Sequence, residues 1–262
     1  MVVEFEERKK QILGINIDLL NKEQVLSLLK DKLSQNDNDV FCVSPLNIEV
    51  LMRANKNQVF KDYLNNISNL NTIDGVGILN VFKWYGLNSY KRICGSDLAY
   101  DLAQICQELG KKYFILGSSE DSSEKAKEKL KELYNGLDIE NYSPPYTKNI
   151  DFSAEETSKI KQIIQDAKPD ALCVAFGALK QELWIKNNLD FLKENNVKIA
   201  IGLGGSFDFI AGKVERAPEF FKKTGNEWLY RLIKEPKTRF KRQITTIPLY
   251  YLLCFFEFIR NK

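Results

Sequence analysis

Short apolar runs alternate along the chain with longer stretches in which apolar positions recur every three or four residues. The runs at 12–17, 40–43, 69–73, 112–116, 139–142, 171–176 and 198–203 have the length and β-branched content of buried strands. The stretches at 22–35, 47–54, 58–67, 76–85, 97–109, 122–133, 154–167 and 181–192 have the period of amphipathic helices. Local signals punctuate them. Ser153-Ala154-Glu155-Glu156 reads as a capping box, and Leu109-Gly110 before two lysines reads as a helix closing on glycine.

This alternation predicts an α/β fold, a Rossmann-like, largely parallel sheet flanked by helices. After Ala217-Pro218 it gives way to a helical, aromatic and basic stretch. The expected division is an α/β catalytic core over 1–217 and a C-terminal helical, membrane-associating appendage over 218–262. A chain of 262 residues suffices for one sizeable α/β domain with such an addition.

The net charge of +3 conceals an asymmetry. From Lys213 to Lys262 there are 12 Lys and Arg against 5 Glu, a balance of +7, which leaves −4 on the rest. Arg231, Lys234, Lys237, Arg239, Lys241 and Arg242 lead into the apolar run 247–256. That run is too short to cross a bilayer, which takes about 20 apolar residues. A basic flank beside an aromatic and aliphatic segment is instead the composition of an interfacial anchor on an anionic membrane surface. Met1 to Ile12 is rich in Glu and Lys, unlike the apolar core of a signal peptide. The scattered cysteines (Cys42, Cys94, Cys106, Cys173, Cys254) form no Cys-x-x-Cys pair and read as reduced, mostly buried thiols. The acidic core carries no base-stacking motif, so nucleic acid is not an expected partner. The apolar tail is also compatible with self-association into a homo-oligomer.

The chain has no histidine. Ser-His-Asp and Cys-His nucleophiles and His-ligated zinc are thereby excluded, and any proton transfer falls to a carboxylate, Lys, Tyr or Cys. In open α/β sheets ligands bind beyond the carboxyl ends of the strands. The residues that follow the predicted strands there include Ser44 to Asn47, Asp74 to Gly77, Gly117 to Ser119, Gly177 to Glu182, and Gly204-Gly205-Ser206-Phe207-Asp208. Glycine, hydroxyl and amide residues recur in them and suit a phosphate-bearing ligand, although they are also ordinary turn residues. Asp74 stands out as a carboxylate at this edge, either a helix N-cap or a general base. Asp37-Asn38-Asp39 has the form of a metal–diphosphate motif but precedes a strand, at the opposite edge of the sheet. Gly202-Leu203-Gly204-Gly205 lacks the third glycine of a dinucleotide loop. Residue chemistry alone leaves open a transferase, an NAD-dependent nucleotide-sugar epimerase or oxidoreductase, and a non-enzymatic, membrane-docked binding protein.

Several longer blocks are similar to one family. They are Asn47-Ile48-Glu49, Ile73-Asp74-Gly75-Val76-Gly77, Arg92-Ile93-Cys94-Gly95-Ser96-Asp97-Leu98 and Gly177 to Ile185. Gly204 to Lys213, Arg216-Ala217-Pro218, Glu227 to Leu232 and Glu235-Pro236 follow in order. In these the chain resembles the WecG/TagA/CpsF glycosyltransferases (glycosyltransferase family 26). The resemblance implies inverting, metal-independent and cofactor-free transfer of a sugar, such as N-acetylmannosamine or its uronic acid, from a UDP donor. The implied acceptor is an undecaprenyl-diphosphate-linked sugar, used in teichoic acid, common-antigen or capsule synthesis at the inner face of the cytoplasmic membrane. It implies that Asp74 is the base, that Asn47, Arg92 and Gln181 line the sugar–diphosphate site, and that Arg231, Arg239 and Arg242 close over the donor or meet the lipid diphosphate. Ser44, Gly75, Gly77, Asp97, Gly204, Gly205, Ser206 and Asp208 complete the expected site. Two departures stand out. Pro45 occupies the position of a frequent family threonine, with Ser44 alongside, so that the hydroxyl is either supplied by Ser44 or missing. Leu179 stands where Pro-Lys-Gln-Glu is usual, a change expected to alter loop stiffness more than chemistry.

Overall fold

A computed structural model describes residues 8–147, 151–214, 230 and 236–261, with only the backbone described for 236–243. Six strands form one parallel sheet: β3 (Phe41–Leu46), β4 (Leu70–Ile73), β5 (Tyr113–Gly117), β6 (Ile139–Tyr142), β7 (Ala171–Ala175) and β8 (Ile199–Gly202), in the order β4-β3-β8-β7-β5-β6. Their side chains alternate between two cores. Phe114, Leu116, Leu172, Val174 and Ala200 face one, while Tyr113, Ile115, Cys173, Ile199 and Ile201 face the other. Both faces are therefore helix-covered, which explains why these strands read as continuous apolar runs.

On the first face lie α2 (Ile48–Ala54), α3 (Gln58–Asn66), α4 (Val76–Trp84), α7 (Ala154–Ala167), α8 (Lys180–Asn187) and α9 (Leu189–Glu194). On the second lie α1 (Lys22–Ser34), α5 (Gly95–Leu109), α6 (Glu120–Leu133) and α10 (Ser206–Ile210). The last helix, α11 (Pro236–Arg260), returns to the first face and buries Tyr250 and Cys254 completely.

Several local expectations change in the folded chain. The run 12–17 is not one strand but a hairpin, β1 (Lys9–Ile12) paired antiparallel with β2 (Ile15–Asp18). Leu13 and Gly14 turn it, with φ of +53° and +69°. β3 runs on past Val43 to Leu46 despite Pro45. Its ladder to β8 ends at Val43, so the missing proline N–H breaks no bond on that side. The stretch 181–192 divides at Asn188, whose side chain donates to the Trp184 carbonyl at 2.9 Å. The capping box at Ser153 is half formed. Ser153 Oγ accepts the Glu156 amide, but the Glu156 carboxylate accepts the Tyr142 hydroxyl instead of reaching back. Gly110 closes α5 at φ +63°, as its sequence indicates. Cys42, Cys106, Cys173 and Cys254 are buried free thiols, and Cys94 is a half-buried one.

Candidate active site

Parallel strands bring their carboxyl ends to one edge, and a cleft of about 680 Å³ opens there. Four of the five strand-end loops line it, contributing Pro45 and Asn47, Asp74 to Gly77, Gly177, Ala178 and Gln181, and Gly204 to Ser206 with Asp208. The fifth, Gly117 to Ser119, does not. Ser119 caps α6 and accepts Lys213 Nζ at 3.2 Å.

Asp74 follows β4 directly. The N-cap of α4 is Gly75, and no side chain caps that helix, so Asp74 is not the cap that its position also allowed. Its carboxylate faces Arg92, with Oδ1 3.4 Å from both Nε and Nη2, while Nε donates to the Asp74 carbonyl at 2.8 Å. The second contact fixes the guanidinium independently of the carboxylate. Both side chains are about a fifth exposed, at 19% for Asp74 and 24% for Arg92. A Cβ on Gly95, the first residue of α5, would lie 3.6 Å from Asp74 Oδ2 and 3.3 Å from Pro45. Glycine thus lets the start of α5 press against the carboxylate. Neither α4 nor α5 has a side-chain cap, so the first-turn N–H groups of both helices border the cleft, the arrangement that attracts anions.

Asn47 caps α2, its Oδ1 accepting the amides of Glu49 and Val50 at 3.0 and 3.1 Å. Close packing there requires Gly75, where a Cβ would approach Asn47 Cα to 3.1 Å. Gly77 similarly leaves room for Ile48. Gln181 is 4% exposed and Ser206 7% exposed, the latter donating to the Leu203 carbonyl. Two expected residues are elsewhere. Ser44 lies within β3, buried, and accepts the Ser68 hydroxyl at 3.0 Å; extension of the strand turns it into the core, so it does not replace the threonine at the cleft. Asp97 sits in the first turn of α5 outside the cleft lining. Arg231 lies outside the described residues, as do the side chains of Arg239 and Arg242.

Cys94 lines the cleft but is chemically quiet. Burial, and then the Asp74 carboxylate, push its thiol up to about 11, and its Sγ is held by Arg92 Nη2 at 3.1 Å and Ser96 Oγ at 3.0 Å. Among the described residues the lining carries two arginines, Arg53 and Arg92, against the carboxylates of Glu49, Asp74 and Asp208. Asp37 and Asp39 play no part. They pair with Lys32 and Lys193 at the opposite edge of the sheet.

Two contributors escaped the sequence pattern, a wall from α11 and Arg53 of α2. Thr246, Ile247 and Tyr251 of α11 form one wall, and Tyr251 accepts Asn80 Nδ2 at 3.1 Å. They sit in or directly before a run whose apolar composition masks a two-sided helix. Arg53 Nη1 donates to the Ala178 carbonyl at 3.2 Å. Glu182, behind the lining, is 2% exposed, and burial pushes its carboxyl up to about 7. Leu179 holds φ +78° and its amide donates to Glu182 at 2.6 Å. A proline has neither that φ nor that N–H, so leucine alters the bonding of this loop as well as its stiffness.

Fold and cleft define an α/β protein with an open cleft at the carboxyl edge of a parallel sheet, where the uncapped starts of two helices meet. The chain belongs to the glycosyl transferase WecG/TagA/CpsF family, whose model matches residues 10–262. It is 32% identical over 210 residues to the N-acetylglucosaminyldiphosphoundecaprenol N-acetyl-beta-D-mannosaminyltransferase of Bacillus subtilis (strain 168), covering 80% of this chain and 77% of that one. It is 28% identical over 243 residues to the enzyme of the same name from Staphylococcus aureus (strain MRSA252), covering 92% and 90%. The family decides among the activities that residue chemistry left open: this is a glycosyltransferase, not an epimerase, oxidoreductase or scaffold.

Proposed function

We propose that the protein transfers a sugar, N-acetylmannosamine or a related hexose, from a UDP donor to an undecaprenyl-diphosphate-linked N-acetylglucosamine, with inversion at the anomeric carbon. The Asp74–Arg92 pair carries this reading, because it stands where the uncapped starts of α4 and α5 meet. In the reaction Asp74 takes the proton of the acceptor hydroxyl as that oxygen attacks the anomeric carbon, and the bond to UDP breaks on the opposite face. Arg92 and the helix N-termini stabilise the charge gathering on the diphosphate. Asn47, Gly75, Gly77, Gly204, Gly205, Ser206 and Asp208 shape the pocket around it. Among the described residues the lining carries two arginines against three carboxylates, and Arg231, Arg239 and Arg242 of the 218–262 appendage are assigned further positive charge there.

The relatives named above act, by their names, on a diphosphoundecaprenol-linked sugar, which supports a lipid acceptor here. No helix among the described residues is long and apolar enough to cross a membrane. α11 instead exposes Ile244, Leu249, Leu252, Phe255, Phe256 and Ile259 on the side opposite Tyr250 and Cys254. This stripe is proposed to rest on the inner leaflet, with Thr246, Ile247 and Tyr251 on the cleft side of the same helix. Purified protein is incubated with polyprenyl-diphosphate-N-acetylglucosamine and a panel of UDP-sugars, and elongated lipid is read by mass spectrometry. One UDP-sugar should extend the lipid in wild type and not in Asp74→Asn. Absence of product from every donor, or full activity in the variant, refutes the reaction or the base respectively.

A further inference from the structure

Three N–H donors meet in the wall between β7 and β8, and chemistry fixes their direction. The Leu179 amide donates to Glu182 Oε2 at 2.6 Å, and Gln181 Nε2 donates to Glu182 Oε1 at 2.8 Å. The Gly204 amide donates to Gln181 Oε1 at 3.0 Å. A backbone N–H only donates and an ionised carboxylate only accepts. The side-chain amide of Gln181 is therefore held one way round, its carbonyl toward Gly204. Turned over, it would set N–H against N–H at Gly204 and oxygen against oxygen at Glu182. The crossing also needs a glycine beneath it. A Cβ at Gly202 would stand 2.6 Å from Gln181 Nε2 and 3.0 Å from Glu182 Oε1.

We infer that Glu182 is a positioning residue for the cleft, the acceptor that ends a one-way hydrogen-bond chain fixing Gln181 and, through it, the Gly204 amide at the head of the loop before α10. Glu182 does not line the cleft, whereas Gln181 and Gly204 do. Its carboxylate also offsets the strain of Leu179, whose φ of +78° is rare for a bulky residue. Its titratable neighbours are Arg53 from α2, which acts on it, and Tyr63 from α3, on which its charge acts. Arg53 favours the carboxylate, and Tyr63, raised well above its usual range by burial, stays neutral. Burial holds the Glu182 carboxyl near 7, so a proton on it replaces an acceptor with a donor and breaks the chain in the neutral range. The consequence for turnover rests on the proposed transferase reading; the chain itself does not.

Hydrogen exchange at the Gly204 amide, in the full-length protein, tests the chain without reference to turnover. Glu182→Gln puts an amide where an acceptor stood, so one link must face donor against donor. Gly204 should exchange about fivefold faster, the worth of one hydrogen bond, while Ile199 to Ile201 in β8 stay within about twofold. Unchanged protection at Gly204, or a loss spread evenly along β7 and β8, overturns the inference. Wild type supplies a second test that needs no variant. Corrected for intrinsic exchange, Gly204 protection should fall below pH 7 while β8 holds, and a flat profile overturns it. Transfer assays on the same samples separate the two ideas, since a wild type that elongates no lipid sinks the reaction and leaves the exchange result standing.

Discussion

Raising the pH through the titration of Glu182 should weaken the fold even as it completes the hydrogen-bond chain. In the folded protein this carboxyl is raised from 4.5 to about 7, first by burial, against the pull of Gln181, Leu179 and Arg53. A raised carboxyl means that the folded state holds the proton more tightly than the unfolded chain does. The stabilisation is thus complete below the unfolded value of about 4.5 and is lost as pH rises through about 7. The gap between those two values corresponds to roughly 3 kcal/mol, most of which falls between pH 5 and pH 8. Against a typical domain stability of about 5–15 kcal/mol this is readily measured. Urea unfolding of wild type and Glu182→Gln at pH 5, 6, 7 and 8, at constant ionic strength, isolates it, because other titrating groups cancel in the difference. The stability of wild type relative to the variant should fall by about 2–3 kcal/mol over that interval, most steeply near pH 6, between the unfolded and folded values, and level off above pH 7. A difference that is flat, or that grows with pH, would mean that the bonds to Glu182 outweigh its desolvation. Functional sites commonly accept such a loss of stability in exchange for a fixed geometry.

Asp74→Asn should lower transfer by roughly 10²–10⁴-fold and leave the thermal midpoint close to wild type, because Arg92 Nε keeps its 2.8 Å bond to the backbone carbonyl; comparable losses of activity and midpoint would make Asp74 a structural residue. Leu252→Glu with Phe256→Glu should abolish co-sedimentation with anionic vesicles and shift unfolding stability by about 0.5 kcal/mol or less per site, since both side chains are exposed. Tyr250→Ala, on the opposite face of the same helix, should cost about 3 kcal/mol or more, since its ring is fully buried. Cys94→Ser should keep turnover within about threefold, and iodoacetamide should label Cys94 slowly at pH 7, because a thiol near 11 is almost wholly protonated there.

The buried inner face of α11 changes how the membrane reading is tested. An interfacial anchor of the kind its composition suggests would be removable without harm to the core. Tyr250 and Cys254 instead belong to the same core as α2 and α4, and Glu257, just past the apolar run, accepts the Leu13 amide of the hairpin at 2.8 Å. Deletion would open that core, so substitutions on the exposed stripe separate docking from folding and truncation does not.

What the sequence determined by itself was whatever depends on neighbours within a few residues. Helical and strand periods placed nearly every element, and Gly110 and Ser153 marked ends at which the structure shows a left-handed residue and a cap. The absence of histidine narrowed the chemistry, and the position of Asp74 after an apolar strand put a carboxylate at the correct edge. Tertiary structure decided everything that depends on which segments meet. Pairing with β4 carried β3 three residues beyond its β8 ladder and turned Ser44 into the core. A turn of two left-handed residues folded an unbroken apolar run back into a hairpin. The partners of the site, Asp74 with Arg92 and Gln181 with Gly204, stand 18 and 23 residues apart. Their contacts exist because parallel strands gather their carboxyl ends at one edge, a convergence that no local pattern encodes.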